Sequence, residues 1–228
     1  MRAPLSIVIP TLNAERHLGP CLGALFEGVQ AGLVRELIVV DGRSTDATVE
    51  IAREVGAEVL EAEASRGGQL RAGCAAARAE WLLVVHADSV LQEGWTEAVA
   101  AHIGAQPGHA GYFRLAFDDG GSAARWVAGW ANIRARFLGL PYGDQGLLIR
   151  REMYEALGGY ADIPLMEDVA IVRAIGRRTL VALDAKAVTS AEKYQRQGWL
   201  RRGLRNLWTL LRYLGGTGPE RLVEGYRR

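Results

Sequence analysis

The first 90 residues alternate short apolar runs with helical stretches, and this alternation restricts the fold more than any other feature. The apolar runs that predict strands are LSIVI (5–9), ELIVVD (36–41), AEVLEA (57–62) and WLLVV (81–85). The segments between them predict helices over 14–30, from Ser44 or Thr45 to Val55, and over 69–80. This order and spacing predict a parallel sheet with crossover helices, which is an α/β fold.

The second half of the chain predicts further elements of the same domain. The predicted strands are 111–117, 145–150 and 179–183, and the predicted helices are 123–138 and 167–177. No linker rich in Pro, Gly or Ser separates the halves. We therefore predict one domain over 1–194, with halves at about 1–110 and about 111–194, and a helical tail over 195–228.

Composition limits the class of protein and its partners. The 228 residues have a formal net charge of +1, which gives no general reason to expect a nucleic-acid partner. The two cysteines lack metal-ligand spacing, so we expect buried, reduced thiols. No uncharged apolar run approaches the roughly 20 residues that a membrane span needs. The short apolar run at the N-terminus predicts a first strand rather than a signal peptide, and the expected location is the cytoplasm.

Polar side chains follow each of the first four predicted strands. They are Thr11, Asn13 and Glu15 after the first strand, Asp41 after the second, Arg66 after the third, and His86 and Asp88 after the fourth. Ligands of open parallel sheets bind at the carboxyl ends of the strands, so these residues are expected to converge. A carboxylate there suits Mg²⁺ or Mn²⁺, ions that take many of their ligands from water and substrate phosphates. Arg66 would add positive charge for phosphate.

Five segments together resemble one known family. SIVIPTLNAE, VVDGRSTDAT, SRGGQLRAG, LLVVHADS and MEDVAIVRAIGR, in this order and at these separations, are similar to family 2 glycosyltransferases of the GT-A fold. The resemblance covers about 5–194 and is strongest to a small bacterial subgroup without transmembrane helices, in which the fourth-strand motif reads His-Ala-Asp. It implies a Rossmann-like, mostly parallel sheet flanked by helices, and a nucleotide-diphosphate sugar as co-substrate.

The resemblance also implies roles for individual residues. The implied nucleotide and donor contacts are Pro10, Thr11, Glu15, Asp41, Arg66, Gly67, His86, Ala87, Asp88, Asp144 and Gln145. Asp41 would hydrogen-bond the base or ribose, and Asp88 would be the carboxylate of a Mg²⁺ or Mn²⁺ site. Asp168 would act as the general base, with Glu167 beside it as the alternative.

His86 departs from the family pattern, because it replaces the first acid of the Asp-x-Asp metal motif. It either packs or hydrogen-bonds near the nucleotide, or it contacts the metal or a phosphate. A protonated imidazole would repel a metal ion and attract phosphate. Both interpretations stay open on the sequence alone.

The tail predicts a basic amphipathic helix. In GWLRRGLRNLWTLLRYLGG, apolar residues recur at helical spacing, and no acidic residue lies between Glu192 and Glu220. The helix either packs its apolar side on the domain or lies on an anionic membrane surface through 196–214. The second interpretation would make the protein peripheral at the inner face of the cytoplasmic membrane. The resemblance favours it, because many relatives act on lipid-linked acceptors.

Other function classes lack their motifs. No G-x-G-x-x-G follows the first strand, no G-K-[ST] occurs, and PTLNAE lacks the glycines of a pyrophosphorylase loop. We therefore predict an inverting, metal-assisted transfer of a sugar to an unknown acceptor hydroxyl. The alternative is a catalytically weak protein of the same fold that binds a nucleotide sugar or a partner. The oligomeric state is left open.

Overall fold

The computed structural model describes the backbone of residues 3–226 and the side chains as far as Val223. The strands in this part of the chain are β1 (Leu5–Thr11), β2 (Val34–Asp41), β3 (Glu58–Glu61), β4 (Trp81–Val84), β5 (Ser89–Leu91), β6 (Ala110–Phe117), β7 (Leu147–Arg150) and β8 (Leu180–Thr189). The α-helices are α1 (Glu15–Gln30), α2 (Thr48–Glu54), α3 (Arg66–Ala76), α4 (Trp95–Ala105), α5 (Ser122–Leu138), α6 (Arg151–Ala156), α7 (Glu167–Ile175), α8 (Glu192–Gln197), α9 (Trp199–Leu214) and α10 (Pro219–Tyr226).

All eight strands form one sheet in the order β3-β2-β1-β4-β7-β6-β8-β5. β1 to β4 are mutually parallel, β7 is antiparallel to both β4 and β6, and β8 is parallel to β6. Six strands therefore run in one direction, and β5 and β7 run in the other. This arrangement confirms the α/β prediction and brings the carboxyl ends of β1, β2, β4 and β8 to one edge of the sheet.

The central strand β1 is apolar from Ile7 to Pro10 because helices cover both faces of the sheet. Ile7 and Ile9 belong to the core under α1, and Val8 belongs to the core under α3. These residues are at most 1% exposed. Each face thus has its own apolar layer, and the polar residues that follow β1 begin where both layers end.

Two helix starts differ from the sequence prediction. α3 begins at Arg66 rather than near 69, because the Ser65 hydroxyl accepts a bond from the Gly68 amide and caps the helix. α2 begins at Thr48 rather than at Ser44 or Thr45, because Ser44 bonds the end of β2 instead. Arg66 and Gly67 therefore lie in the first turn of a helix and not in a turn before it.

Further differences concern the elements that follow β4. β5, α4 and α6 were not predicted, and β8 extends six residues beyond the predicted strand end at 183, to Thr189. The predicted boundary between domain and tail falls inside α8. Of the residues beyond it, Leu210 and Leu222 are buried in the same core as Val8. In the described part of the chain, no helix has the length and apolar character needed to cross a membrane. Both cysteines are buried free thiols.

Candidate active site

Two cavities meet at the carboxyl edge of the sheet. The β1-side cavity, of about 540 Å³, lies over the residues that follow β1, including Thr11 and Asn13. The α9-side cavity, of about 130 Å³, lies between α7 and the C-terminal helices. Both cavities are lined by the same five side chains, which are Arg66, His86, Asp88, Leu165 and Lys193. These shared residues mark the junction where a ligand in one cavity would meet a ligand in the other.

Asp41 organises the turn after β2. Its Oδ1 accepts bonds from the Thr11 hydroxyl at 3.0 Å and the Ser44 hydroxyl at 2.6 Å, and its Oδ2 accepts one from the Ser44 amide at 2.7 Å. The residue is 3% exposed and lines neither cavity. In this conformation the carboxylate ties β1 to the β2 turn, and contact with a base or ribose stays a prediction.

The loop after β1 is held by similar bonds. Asn13 has a φ of 50° and accepts a bond from the Thr45 amide at 2.9 Å. Glu15 accepts one from the Ala47 amide at 3.0 Å and does not line either cavity. Pro10 and Thr11 do line the β1-side cavity, as does Ala87 beyond β4. The backbone strain at Asn13 is thus supported by contacts that also shape the cavity wall.

Gln69 is a site residue that the sequence analysis missed. Its side chain is 4% exposed, and its Nε2 donates to the carbonyl oxygens of Thr11 at 2.7 Å and Val40 at 2.8 Å. It therefore joins the ends of β1 and β2 under the β1-side cavity, which it also lines. A glutamine in SRGGQ gives no local signal of this role.

Arg66 and Gly67 place the start of α3 against the loop before α7. The Arg66 Nε lies 3.6 Å from the Glu167 carboxylate. A Cβ added to Gly67 would lie 2.1 Å from the carbonyl oxygen of Ala161, so only glycine permits this approach. Gly67 thus has a packing role here, whereas Arg66 points its charge to the junction of the cavities.

His86 packs its ring on the backbone of Gly143. A Cβ at Gly143 would lie 2.3 Å from the His86 Cε1 and Nε2 atoms. Burial lowers the pKa of His86 to about 4, with the nearby Arg66 charge acting in the same direction. The imidazole is therefore neutral at pH 7, and its buried Nε2 has no hydrogen-bond partner among the described protein groups. Neutrality removes the repulsion that a protonated ring would exert on a metal ion.

Asp88 is paired with Lys193. The Nζ of Lys193 lies 3.5 Å from Asp88 Oδ2. Burial alone would raise the pKa of Asp88, but neighbouring groups, among them Lys193 and Arg66, outweigh burial and lower it. The carboxylate is thus charged at neutral pH. Lys193 was not predicted as a site residue, since its position follows from the unpredicted second half of β8.

Asp168 lies at the N-terminus of α7, as predicted. Its Oδ2 accepts a bond from the Gly143 amide at 2.7 Å, and its Oδ1 accepts one from the Val169 amide at 2.7 Å. It lines the α9-side cavity but not the β1-side cavity. The two amides fix the direction of the carboxylate.

Glu167 has a different environment from its neighbour. Its side chain is fully buried, and burial together with the charge of Asp168 raises its pKa to about 7, despite the opposing effect of Arg66. It lines neither of the two cavities. Glu167 is therefore poorly placed to reach a ligand, and Asp168 is the better candidate for a base.

The turn at 143–145 contributes two side chains with separate functions. Burial raises the pKa of Asp144 to about 6, and its Oδ1 is buried without a hydrogen-bond partner in the described protein. Asp144 lines the α9-side cavity. Gln145 is fully buried and donates to the Phe113 carbonyl at 3.2 Å, so it supports the turn rather than lining either cavity.

The donor atoms at the junction determine whether a divalent metal fits. Within the described residues, no group of three or more His, Cys, Asp or Glu side chains could enclose a metal ion. One charged carboxylate, Asp88, and the neutral imidazole of His86 are present instead. Such a pair fits an ion that takes its remaining ligands from a diphosphate and water, as Mg²⁺ usually does.

Comparison with known proteins identifies the family. The model of glycosyl transferase family 2 matches residues 6–157. The chain belongs to this family. Among curated family 2 relatives, a "PGL/p-HBAD biosynthesis glycosyltransferase" of Mycobacterium bovis BCG is 37% identical over 113 residues, which are 46% of this chain and 43% of that protein. An uncharacterised glycosyltransferase of Mycobacterium tuberculosis is 34% identical over 91 residues, 40% of this chain and 39% of the relative. The matches span less than half the length of these relatives.

Solved structures show the GT-A fold. Residues 1–349 of Staphylococcus aureus TarS align over 91% of this chain and 64% of that chain, with a TM-score of 0.64 and 14% identity. Glucosyl-3-phosphoglycerate synthase of M. tuberculosis, solved with Mn²⁺, UDP and glucosyl-3-phosphoglycerate, aligns over 82% of this chain and 70% of that chain, with a TM-score of 0.60 and 20% identity. This family 2 chain thus has the same fold as these two solved structures.

Proposed function

We propose that the chain catalyses an inverting transfer of a sugar from a nucleotide-diphosphate sugar in the β1-side cavity to an acceptor hydroxyl in the α9-side cavity. The observation that carries the proposal is the arrangement of the two cavities. Arg66, Asp88 and Lys193 line both, whereas Asp168 lines only the α9-side cavity. The cationic side chains thus line the proposed donor cavity as well as the proposed acceptor cavity, whereas the base candidate lines only the acceptor cavity.

The proton transfer assigned to Asp168 follows from its contacts. The Gly143 and Val169 amides hold the two carboxylate oxygens and fix the carboxylate in the wall of the α9-side cavity. A carboxylate is a weak base, so positioning supplies much of the rate. In-line attack from this side displaces the diphosphate on the other, and it inverts the anomeric configuration.

The cationic side chains stabilise the departing nucleoside diphosphate. Arg66 and Lys193 lie at the junction, where negative charge grows as the glycosidic bond breaks. Asp88, with His86 beside it, would hold a Mg²⁺ or Mn²⁺ ion, which when bound supplies further charge neutralisation at the diphosphate. Mn²⁺ accompanies UDP in the glucosyl-3-phosphoglycerate synthase structure, which supports this assignment.

The donor and acceptor are assigned only by chemical class. A thermal-shift screen of nucleotide sugars, with and without Mg²⁺ or Mn²⁺, selects the donor. A ligand present at 100 times its dissociation constant stabilises the fold by about 2.7 kcal/mol. The acceptor is a hydroxyl compound, and we include lipid-linked hydroxyls in this class because of the basic C-terminal helix.

Replacing the proposed base tests the mechanism. Asp168→Asn should lower the rate of sugar transfer by about 1,000-fold, within the range for loss of a general base. The selected donor and a panel of hydroxyl acceptors are the substrates, and NMR of the product reports the anomeric configuration. Asp184→Asn is the matched control, because Asp184 is an exposed carboxylate of β8 outside both cavities.

The outcomes separate the proposed reaction from the alternative. Equal transfer rates for Asp168→Asn and wild type, or retention of configuration, would contradict the mechanism. Tight donor binding without transfer to any acceptor would favour the alternative, a nucleotide-sugar-binding protein of the same fold.

A further inference from the structure

Two neighbouring helices expose apolar side chains that the fold does not use. The residues concerned are Trp126, Trp130, Ile133 and Phe137 on α5, and Leu200, Leu204, Trp208 and Leu211 on α9. Each is at least 50% exposed, and the spacing within each helix places its four residues on one side. α5 contacts α9. We name this set of eight side chains the α5–α9 face.

The segments that carry the α5–α9 face are strongly basic. Residues 120–143 and 193–219 contain nine Lys and Arg and no Asp or Glu. The remainder of the chain contains the other 18 basic residues and all 26 acidic residues. A chain with a net charge of only +1 therefore concentrates +9 on two segments, against −8 elsewhere.

We propose that the α5–α9 face binds the surface of a membrane that contains anionic lipids. Exposed tryptophan and leucine beside arginine is the chemistry of interfacial helices, in which the apolar side enters the acyl boundary and the cations contact headgroup phosphates. A second copy of this chain is the other apolar occupant to consider. A symmetric contact would oppose two faces of the same positive charge, which disfavours it.

Docking on this face would bring the α9-side cavity close to the lipid. α9 presents Leu204 and Trp208 outward, while Arg202 and Asn206 line the α9-side cavity. The cavity and the membrane would then be separated by the width of one helix, about 10 Å. Membrane binding does not depend on the reaction, but the suggestion that a lipid-linked acceptor enters here rests on the proposed function.

Vesicle co-sedimentation of the full chain tests the surface. Wild type should bind vesicles of phosphatidylglycerol and phosphatidylcholine and should bind pure phosphatidylcholine at least tenfold more weakly. The fourfold variant Trp126→Ser, Trp130→Ser, Leu204→Ser, Trp208→Ser should lose at least tenfold in partitioning to the anionic vesicles. The control Phe26→Ser, Val29→Ser, Val55→Ser changes three similarly exposed apolar residues on α1 and beyond α2 and should bind as wild type does.

Charge reversal provides a second measurement that does not alter apolar area. Arg136→Glu with Arg201→Glu should weaken binding to anionic vesicles at least tenfold, whereas Arg53→Glu with Arg173→Glu, two exposed arginines on α2 and α7, should not. Circular dichroism and thermal unfolding establish that each variant is folded. Absence of wild-type binding, or equal binding by the face and control variants, overturns the proposal.

Two further measurements distinguish membrane binding from dimerisation and from sugar transfer. A wild-type dimer that the serine variant abolishes in sedimentation velocity would assign the face to a second copy and overturn membrane binding. Asp168→Asn should bind vesicles as wild type does. Vesicle binding without sugar transfer would contradict the proposed function alone, and sugar transfer without vesicle binding would contradict the membrane surface alone.

Discussion

The two cavities differ in how their polar groups are satisfied. Under the β1-side cavity, Asp41, Asn13 and Gln69 use their oxygens and amides in bonds to neighbouring loops and strand ends. Around the α9-side cavity, the buried Asp144 Oδ1, Tyr142 hydroxyl and Asn206 Oδ1 have no hydrogen-bond partner in the described protein. The β1-side cavity is thus completed by the fold itself, whereas the α9-side cavity holds polar atoms whose partners a ligand can supply. Substitutions should therefore affect stability on the first side and activity on the second.

After Asp168→Asn, the next largest loss of activity is expected at the junction between the cavities. Lys193→Met keeps the length of the side chain and removes the charge beside Asp88, so about 100-fold in kcat should be lost, which corresponds to about 2.7 kcal/mol of transition-state stabilisation. Steady-state kinetics of sugar transfer with the selected donor measure this loss in kcat. Lys186→Met is the control, because Lys186 is the other lysine of the chain and is exposed on β8. A loss of equal size in the control would contradict a specific role for Lys193.

Substitutions under the β1-side cavity should change the stability of the fold. Gln69→Leu has similar volume but leaves the carbonyl oxygens of Thr11 and Val40 without the bonds from its amide. Thr11 O keeps its bond from the Gly42 amide at 2.8 Å, and Val40 O keeps the longer one from the Thr11 hydroxyl at 3.4 Å. We therefore expect a loss of about 2 kcal/mol in the free energy of unfolding, which corresponds to two buried hydrogen bonds. Urea unfolding measures it, with the exposed Gln30→Leu as control. An unchanged unfolding midpoint would show that the bonds under the β1-side cavity do not hold it together.

An effect of the opposite sign is expected at Glu167. Its pKa of about 7 lies above the ordinary value of 4.5, so ionisation is harder in the folded than in the unfolded protein. Its contribution to stability is complete below pH 4.5 and is lost as the pH rises to about 7. Glu167→Gln removes this dependence, so between pH 5 and pH 8 its free energy of unfolding should rise by about 2 kcal/mol relative to that of wild type, which corresponds to about two pH units.

Unfolding across this pH range checks the expectation for Glu167. Asp144, whose pKa is raised to about 6, should leave a residual slope of the same sign in the variant. Glu152→Gln, at an exposed carboxylate, should keep the wild-type slope. A Glu167→Gln slope identical to that of wild type would contradict the raised pKa.

The sequence predicted the parts of the fold that depend on local pattern. β1, β2 and β4 each contain an apolar run that can be recognised in the sequence, because both faces of the sheet are covered. The second half of β8 alternates buried and exposed residues and pairs with β5 and β6, which are distant in sequence. Its end, and with it the position of Lys193, therefore depended on tertiary contacts that a single sequence does not display.

The candidate site also contains residues that the sequence indicated and residues that it did not. Asp88, Arg66 and Asp168 were indicated by their places at strand or helix ends and by the family resemblance, although their roles stay predictions. Gln69 and Asn206 reach the site only because α3 packs across two strands and α9 folds back on the domain. The start of α3 was misplaced because Gly67 and Gly68 are poor helix formers, and their cap and close packing override that preference.

The contact between His86 and Gly143 also restricts how the family can vary. The His86 ring occupies the space that a Cβ at position 143 would need. A family member with histidine at position 86 is therefore restricted to glycine at position 143. A family member with the shorter aspartate at position 86 does not have this restriction. The two positions, 57 residues apart, should therefore covary among relatives, and a histidine paired with a larger residue at 143 would identify a chain whose turn has a different conformation.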